Sequence, residues 1–147
     1  MKKIISLICS FVILCFCGCD NTLYHWQFRK SFSEVQKISI IYIETEIGAY
    51  EYVSIPPTKI IESSQYETFY EEIQNMEMTK KFRVELDHPS GYCFLIEYGN
   101  DDYCILSEFG SGFVYYDERF DILVFEYGKL DFNKDAFTAL LNKYLEN

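Results

Sequence analysis

The sequence predicts an α+β fold: a single antiparallel sheet of about five to seven strands with two amphipathic helices packed on one face. Two kinds of hydrophobic pattern support this fold class. Several segments between residues 35 and 127 alternate apolar and polar side chains, which is the period of a half-buried strand. Two other segments, near residue 70 and at the C-terminus, repeat apolar residues every three or four positions, as in a helix with one buried side.

The first elements of the domain are an extended segment and a pair of strands. Residues 24–28 alternate aromatic and polar side chains, so we expect an extended segment lying on the domain, with Trp26 partly buried. Residues 35–44 carry isoleucines on both faces, which indicates a central strand. Residues 50–55 are predicted to return as a second strand that ends at Pro56, because proline cannot donate to a sheet ladder.

A helix and five further strands are predicted next. Ser64 and Glu67 have the spacing of a capping box, and the apolar stripe that follows them continues to Met76. Each of the five strands is bounded by residues that favour turns. The predicted strands cover 82–87, 92–98, 103–109, 113–116 and 122–127.

The C-terminal segment is predicted to be a helix capped by Asn133, with Asp135 favourable in its first turn. Residues 131–135 also resemble the start of a calcium-binding loop. The sixth and twelfth positions of that loop need glycine and glutamate, but they hold Ala136 and Asn142, so helix capping explains these residues better. The buried stripe of the helix is predicted to be Phe137, Leu140, Leu141 and Tyr144.

The chain is strongly acidic, with 23 acidic and 13 basic residues and a net charge of −10. Such a surface repels phosphate backbones, so we expect no nucleic acid partner. The acids are spread along the chain, which leaves two interpretations open: a solvated surface, or an acidic face for a basic protein partner. The 13 tyrosines and 13 phenylalanines likewise suit either core packing or an exposed aromatic binding patch.

The sequence contains no motif for catalysis or cofactor binding. His25 and His88 are its only histidines, and they lack the spacing of zinc ligands. There is no Gly-x-Ser-x-Gly elbow and no glycine-rich phosphate loop. Adjacent carboxylates at Asp101–Asp102 and Asp117–Glu118 leave a small carboxylate-dependent enzyme open as an alternative. We expect no cofactor and no metal.

The N-terminal segment has the features of an export signal. Two lysines precede an almost wholly apolar run at residues 4–16. This run is shorter than the about 20 residues that span a bilayer, and it has the length and flanks of a signal peptide. It ends at Phe16-Cys17-Gly18-Cys19, where a small residue precedes a cysteine. This arrangement resembles the processing site of bacterial lipoproteins. A plain secretory signal and a short apolar cytosolic helix are the alternatives.

The resemblance implies that Cys19 takes a diacylglyceryl group and that cleavage after Gly18 makes Cys19 the new N-terminus. Residues 1–18 are then the signal peptide, residues 19–23 the lipidated cysteine with a short tether, and residues 24–147 a single domain. Two acyl chains anchor a protein stably, because each buried methylene contributes about 0.8 kcal/mol. We therefore expect attachment to the cell membrane or outer membrane through the lipid on Cys19, on the extracytoplasmic side.

Two cysteines, Cys93 and Cys104, lie in the predicted domain. If Tyr98 pairs with Tyr103 across the turn at 99–102, these cysteines share a sheet face but are offset by four residues. That offset is about 13 Å along the strands. It exceeds the limit of about 7 Å between the Cα atoms of a disulfide, so two free thiols are predicted.

These observations predict a lipid-anchored extracytoplasmic binding or interaction module of unknown partner, with the size and acidity of an inhibitor or immunity-type protein. A ligand-binding envelope lipoprotein and a small enzyme are the alternatives. A flat acidic face rich in tyrosine would favour the first function, and a deep apolar pocket would favour the second. Paired carboxylates with shifted pKa values in a cleft would favour the enzyme.

Overall fold

The computed structural model describes residues 24–44, 51–80, 88–100, 102–108, 111–117, 119–120, 122–127 and 130–146. Two α-helices and eight strands lie within these ranges. The strands are β1 (Lys37–Ile43), β2 (Lys59–Ile61), β3 (Met78–Lys80), β4 (Gly91–Gly99), β5 (Asp102–Leu106), β6 (Gly112–Asp117), β7 (Ile122–Tyr127) and β8 (Leu130–Phe132). The helices are α1 (Tyr66–Asn75) and α2 (Lys134–Glu146).

Six strands form the main sheet in the order β2-β1-β4-β5-β6-β7, and every neighbouring pair is antiparallel. A second sheet, here called the small sheet, consists of β3 paired antiparallel with β8. The prediction of an α+β fold around an antiparallel sheet is confirmed, but the prediction of a single sheet is wrong. Because β3 and β8 have three residues each, they are too short to show the alternation that identifies a strand from sequence.

The main sheet is buried on both faces at its centre, as the isoleucines of β1 predict. One face, here called the helix face, carries Ile40 and Phe94 and shares its core with both helices. The opposite face, here called the second face, carries Ile41 and Leu95 and packs against Tyr52. The buried residues of the helices on the helix face are Tyr66, Phe69, Tyr70, Ile73, Phe137, Leu140, Leu141 and Tyr144.

The first described segment lies on the domain, as predicted. Tyr24 forms a β-bridge with Met78, and Trp26 is 4% exposed, so it is buried more deeply than expected. The Trp26 ring stacks on Phe113 at 5.1 Å between ring centroids, and it tilts against Phe132 at 5.8 Å. Trp26 therefore joins the main sheet to the small sheet.

Residues 51–55 do not form the predicted second strand. Tyr52–Ser54 is a single 3-10 turn that buries Tyr52 edge-on to Tyr103, with ring centroids 6.4 Å apart. On the side of β1 away from β4, the antiparallel partner is instead β2, which follows the two prolines. A turn that buries one large side chain has the same short alternation as a strand, so the pattern alone does not separate them.

Helix α1 starts without the predicted capping box at Ser64. The preceding residues form a 3-10 turn, Ser63–Gln65, and Gln65 at the N-cap makes no side-chain capping hydrogen bond. Capping-box geometry occurs at the 3-10 turn before β1 instead, where the backbone N–H of Ser31 donates to the carboxylate of Glu34 at 2.9 Å. A serine with a glutamate three residues later is a common pair in sequences. It forms a capping box only where the backbone places both side chains against the free N–H groups of a helical turn.

Helix α2 begins as predicted. The backbone N–H of Ala136 donates to the Oδ1 of Asn133 at 3.1 Å, and all four residues of the predicted stripe are buried. Near the end of the helix, Lys143 forms an ion pair with Glu72 of α1, and the Tyr144 hydroxyl donates to the same carboxylate at 2.8 Å. These contacts link the two helices.

The pairing of β4 with β5 differs from the predicted one by one residue. Ile96 lies opposite Cys104 rather than Ile105, and the register shifts just before Gly99. The turn residues Gly99 and Asn100 have φ angles of +89° and +53°. The turn itself keeps the predicted register, because Gly99 lies opposite Asp102, and the one-residue slip arises at Tyr98, between Glu97 and Gly99. A slip of one residue moves every side chain of β5 from Tyr103 onward to the other face.

That slip changes the reason why the two cysteines are free. Cys93 lies on the second face and Cys104 on the helix face, and both are free and buried. The expectation that they share a face is therefore wrong, whereas free thiols follow because side chains on opposite sides of one sheet do not meet.

Thiol titration tests this arrangement. In unfolded, unreduced protein, both Cys93 and Cys104 are expected to react. In the folded protein at neutral pH, Cys93 is expected to react slowly, because burial raises the pKa of its thiol to about 12. A titration that finds neither thiol in the unfolded protein would contradict the described sheet.

The predicted strand at 82–87 and the predicted signal peptide with its tether lie outside the described residues. Among the residues that the structure describes, no helix has the length and apolarity needed to cross a membrane.

Candidate functional site

Two tyrosines are exposed at one end of the helix face. Tyr42 of β1 and Tyr92 of β4 lie directly opposite each other in the antiparallel register. They follow the alternation of Ile40 and Phe94, which are fully buried, but their own exposed fractions are 47% and 43%. Their ring centroids are 4.9 Å apart and their planes meet at 59°. We call these two residues the tyrosine pair.

The sequence places tyrosine at this position for a clear physical reason. Side chains two residues apart on a strand share a face, so Tyr42 continues the row of Ile38 and Ile40 beyond the region that the helices cover. A cross-strand aromatic pair contributes about 0.2–1 kcal/mol to the sheet. The ring of tyrosine suits an apolar contact while its hydroxyl stays in water, which is why tyrosine is enriched at interfaces.

A cavity of about 240 Å³ adjoins the tyrosine pair between the start of β4 and the side of α2. We call it the α2 cavity. Most of its lining is apolar or uncharged. The described lining residues are Ser90, Gly91, Tyr92, Glu108, Phe137, Thr138, Leu141, Asn142 and Leu145.

Glu108 supplies the one charge among the described lining residues of the α2 cavity. The β4–β5 register, extended two residues beyond Phe94 and Leu106, places Glu108 next to Tyr92 on the helix face. Its Oε1 is buried and accepts no hydrogen bond within the described part of the chain. The nearest cation, Nζ of Lys134, is 3.4 Å away, and the Lys134 side chain is 72% exposed.

The Glu108–Lys134 ion pair is weak by its geometry. A separation of 3.4 Å is long for a charge-assisted hydrogen bond. An ion pair with one solvated partner contributes about 0–1 kcal/mol. The Glu108 carboxylate therefore keeps most of its capacity to accept a donor inside the α2 cavity.

A larger cleft of about 400 Å³ lies between the residues that precede β1 and helix α1. Its lining combines two basic residues, Arg29 and Lys30, with two acidic residues of α1, Glu67 and Glu71. Both basic residues already form ion pairs with carboxylates of the main sheet. This cleft is charged, so it is not the deep apolar pocket that would favour a ligand-binding lipoprotein.

Two tyrosine hydroxyls meet in the core beneath the same cleft. The hydroxyl oxygens of Tyr70 and Tyr98 are 2.7 Å apart. Burial raises the pKa of both hydroxyls, and it also raises the pKa of the neighbouring Cys104 thiol. All three groups are therefore protonated at neutral pH, which suits a structural contact and not a nucleophile.

The carboxylates considered in the sequence do not come together in the described residues. Asp102 forms an ion pair on β5, and Asp117 accepts two hydrogen bonds from the Arg119 guanidinium at 3.0 and 2.7 Å, which lower the pKa of Asp117. Their neighbours Asp101 and Glu118 lie outside the described ranges. Within those ranges no group of three or more His, Cys, Asp or Glu side chains is placed to hold a metal ion.

The lipidation site predicted from sequence, Cys19 with Gly18 before it, also lies outside the described residues. Sequence analysis did not identify the tyrosine pair or Glu108. The alternation of side chains in β1 and β4 assigns Tyr42 and Tyr92 to one face of the sheet. It does not show which part of that face is covered by other segments.

No family model, curated protein or solved structure matches this chain.

Proposed function

We propose that this protein is a lipid-anchored extracytoplasmic interaction module, held by a diacylglyceryl group on Cys19, that binds a protein partner through the tyrosine pair. The observation that carries the proposal is the exposure of Tyr42 and Tyr92 directly beside Ile40 and Phe94, which are fully buried on the same face. Aromatic residues, tyrosine among them, are enriched at the energetic centres of protein interfaces. An inhibitor or immunity-type protein is the class that fits this description.

A short tether supports a role at the membrane surface. Cys19 and Tyr24 are five residues apart, and Tyr24 is bound to the domain because the backbone N–H of Met78 donates to its carbonyl at 3.0 Å. At about 3.3–3.6 Å per residue, the tether reaches at most about 18 Å. A domain on such a tether meets partners that lie at or in the same membrane.

The charge of the protein supports a basic partner. Removal of residues 1–18 takes away two lysines and no acid, which leaves 11 basic and 23 acidic residues, a net charge of −12. A field of that sign increases the association rate of a basic partner and opposes nucleic acid and anionic lipid headgroups.

We also infer that α1 and α2 form one layer over the helix face. The contacts of Lys143 and Tyr144 with Glu72 support this layer, since they join the two helices directly. Two helices cover only part of this face, so the tyrosine pair lies beyond their edge, where a partner has access to both rings.

The lipid anchor is tested by labelling with fatty acid. The Cys19→Ser variant is expected to lose incorporation of the label almost completely and to leave the membrane fraction, because the thiol that takes the lipid is absent. Cys17→Ser is the matched control, since it removes the neighbouring cysteine of the same stretch, and it is expected to keep full labelling. Label in Cys19→Ser would show that the anchor assignment is wrong.

The partner surface is tested by photo-crosslinking in intact cells. A benzophenone amino acid at position 42 is expected to give a discrete protein adduct that disappears when Tyr92→Ala is added. The same amino acid at position 120 is the control, because Phe120 is 67% exposed but lies outside the proposed surface. Identical adducts from both positions, or no adduct from position 42, would count against the proposed function.

A further inference from the structure

We propose that the α2 cavity binds a single lysine or arginine side chain of the protein partner, with the cationic group at Glu108. This inference rests on the proposed function, because it names the chemistry by which that partner is recognised. It joins three observations. Oε1 of Glu108 is buried and accepts no hydrogen bond within the described ranges, with its ion-pair partner Lys134 at 3.4 Å. Apolar side chains line the same cavity, and the exposed Tyr92 ring in that lining contacts the Tyr42 ring.

The carboxylate determines the charge of the occupant. Oε1 of Glu108 is buried and accepts no hydrogen bond from the described residues. A buried acceptor without a donor is unfavourable, and a cationic N–H group is the donor that compensates a carboxylate best. A second anion in the same cavity would meet repulsion from Glu108 and from the net charge of −10.

The wall of the cavity determines the shape of the occupant. Leu141 and Leu145 of α2 and Tyr92 of β4 all line the cavity. Lysine and arginine have three or four methylenes between backbone and charge, and these stems pack along apolar surfaces while the charged end reaches a polar group. The exposed ring faces of the tyrosine pair add attraction for a cation that passes over them.

The volume of the cavity limits the occupant to one side chain. At about 240 Å³, the α2 cavity lies below the about 300–1,000 Å³ that is typical for pockets that bind drug-sized ligands. The occupant is therefore a side chain presented by a larger partner, which supplies the rest of the contact area on the tyrosine pair.

The chain already contains a competitor for this site. Lys134 reaches Glu108 only at 3.4 Å and keeps its side chain 72% exposed. A cation bound inside the α2 cavity would displace this weak contact. Removal of Glu108 and removal of Lys134 should therefore change the affinity for a cation in opposite directions, which a purely structural ion pair would not do.

The experiment uses the full lipidated protein in detergent micelles and the acetylated, amidated pentapeptide Gly-Gly-Lys-Gly-Gly as the probe. Binding is followed by NMR shifts of the backbone amides of Tyr42, Tyr92 and Leu141. Saturable shifts are expected with the lysine peptide, and a peptide with norleucine in place of lysine is expected to bind at least tenfold more weakly, because it keeps the methylenes and lacks the charge.

Three variants sharpen the test. Glu108→Gln is expected to weaken lysine-peptide binding about tenfold, whereas Lys134→Gln is expected to strengthen it a few-fold. The matched control is Glu62→Gln, which makes the same charge change at an exposed residue beyond β2, at the opposite end of β1 from Tyr42. This control is expected to stay within twofold of the unmodified protein. Melting curves check that each variant is folded.

Several results would overturn the inference: equal binding of the norleucine peptide, unchanged affinity in Glu108→Gln, weaker binding in Lys134→Gln, or shifts confined to residues away from the α2 cavity. If these occur while position 42 still gives its specific adduct, this inference alone fails and the proposed function stands. Loss of the adduct or of the lipid label would instead remove the proposed function.

Discussion

Replacement of Phe137 by alanine is expected to lower the free energy of unfolding by about 3–5 kcal/mol. Phe137 is 1% exposed and lies where three parts of the fold meet. Its ring is edge-on to Phe94 of the main sheet at 5.7 Å and stacked on Phe132 of the small sheet at 5.1 Å. The truncation leaves a cavity between α2 and both sheets, and the loss is a large part of the about 5–15 kcal/mol typical of a domain.

Urea titration measures this effect, with Phe120→Ala as the matched control. The Phe120 ring is 67% exposed, so the same chemical change is expected to alter stability by about 0.5 kcal/mol or less. A loss below 1 kcal/mol for Phe137→Ala, or equal losses for the two variants, would contradict the packing of α2 against both sheets.

Alkaline pH is expected to unfold the protein. Burial raises the pKa of the Tyr70 and Tyr98 hydroxyls and of the Cys104 thiol, so the folded protein keeps three protons that the unfolded chain releases near pH 10 for tyrosine and near pH 8.5 for cysteine. The stability that these groups contribute is fully present below their unfolded pKa values. As the pH rises from the unfolded toward the folded pKa value of each group, that group lowers the free energy of unfolding by about 1.4 kcal/mol per pH unit.

Tyrosine-to-phenylalanine variants separate the hydroxyl pair from other causes of alkaline unfolding. Tyr98→Phe alone is expected to cost about 1–3 kcal/mol at pH 7, because the Tyr70 hydroxyl loses its partner at 2.7 Å and remains buried. The double variant Tyr70→Phe, Tyr98→Phe replaces both groups by apolar rings of the same shape. It is expected to be close to neutral at pH 7 and to unfold at a higher pH.

Urea titrations between pH 7 and 11 measure both effects. Tyr92→Phe is the control, because it removes the same hydroxyl group from an exposed ring, and Tyr92 is 43% exposed. If the double variant is less stable than Tyr98→Phe, or if its stability falls with pH as steeply as in the unmodified protein, the buried hydroxyl pair is not the cause.

Local patterns in the sequence predicted the elements that carry their own signal. Strand β7 has the predicted bounds, and α2 has both the predicted cap at Asn133 and the predicted buried stripe. Strand β1 was recognised because its apolar residues occupy both faces. In each case one segment of six residues or more contains the whole pattern, so periodicity is sufficient.

Elements defined by another part of the chain were not predicted. The small sheet forms because β3 pairs with β8, which lies about 50 residues later in the chain. Strand β1 pairs with β2 although two prolines lie between them. The slip between β4 and β5 arises at Tyr98, where the register shifts between Glu97 and Gly99. An irregularity of this kind is a property of the strand pair, which the residue types of one strand do not determine.

The sequence by itself determined the α+β class and the strong acidity, and the proposal of a lipid anchor depends on the sequence of the N-terminus alone. Only the tertiary structure decided the candidate site. Tyr42, Tyr92 and Glu108 come from three separate segments, and the order of strands in the sheet brings them together. The exposure of Tyr42 and Tyr92 depends on which side chains distant segments pack over the sheet, and no local pattern records that packing.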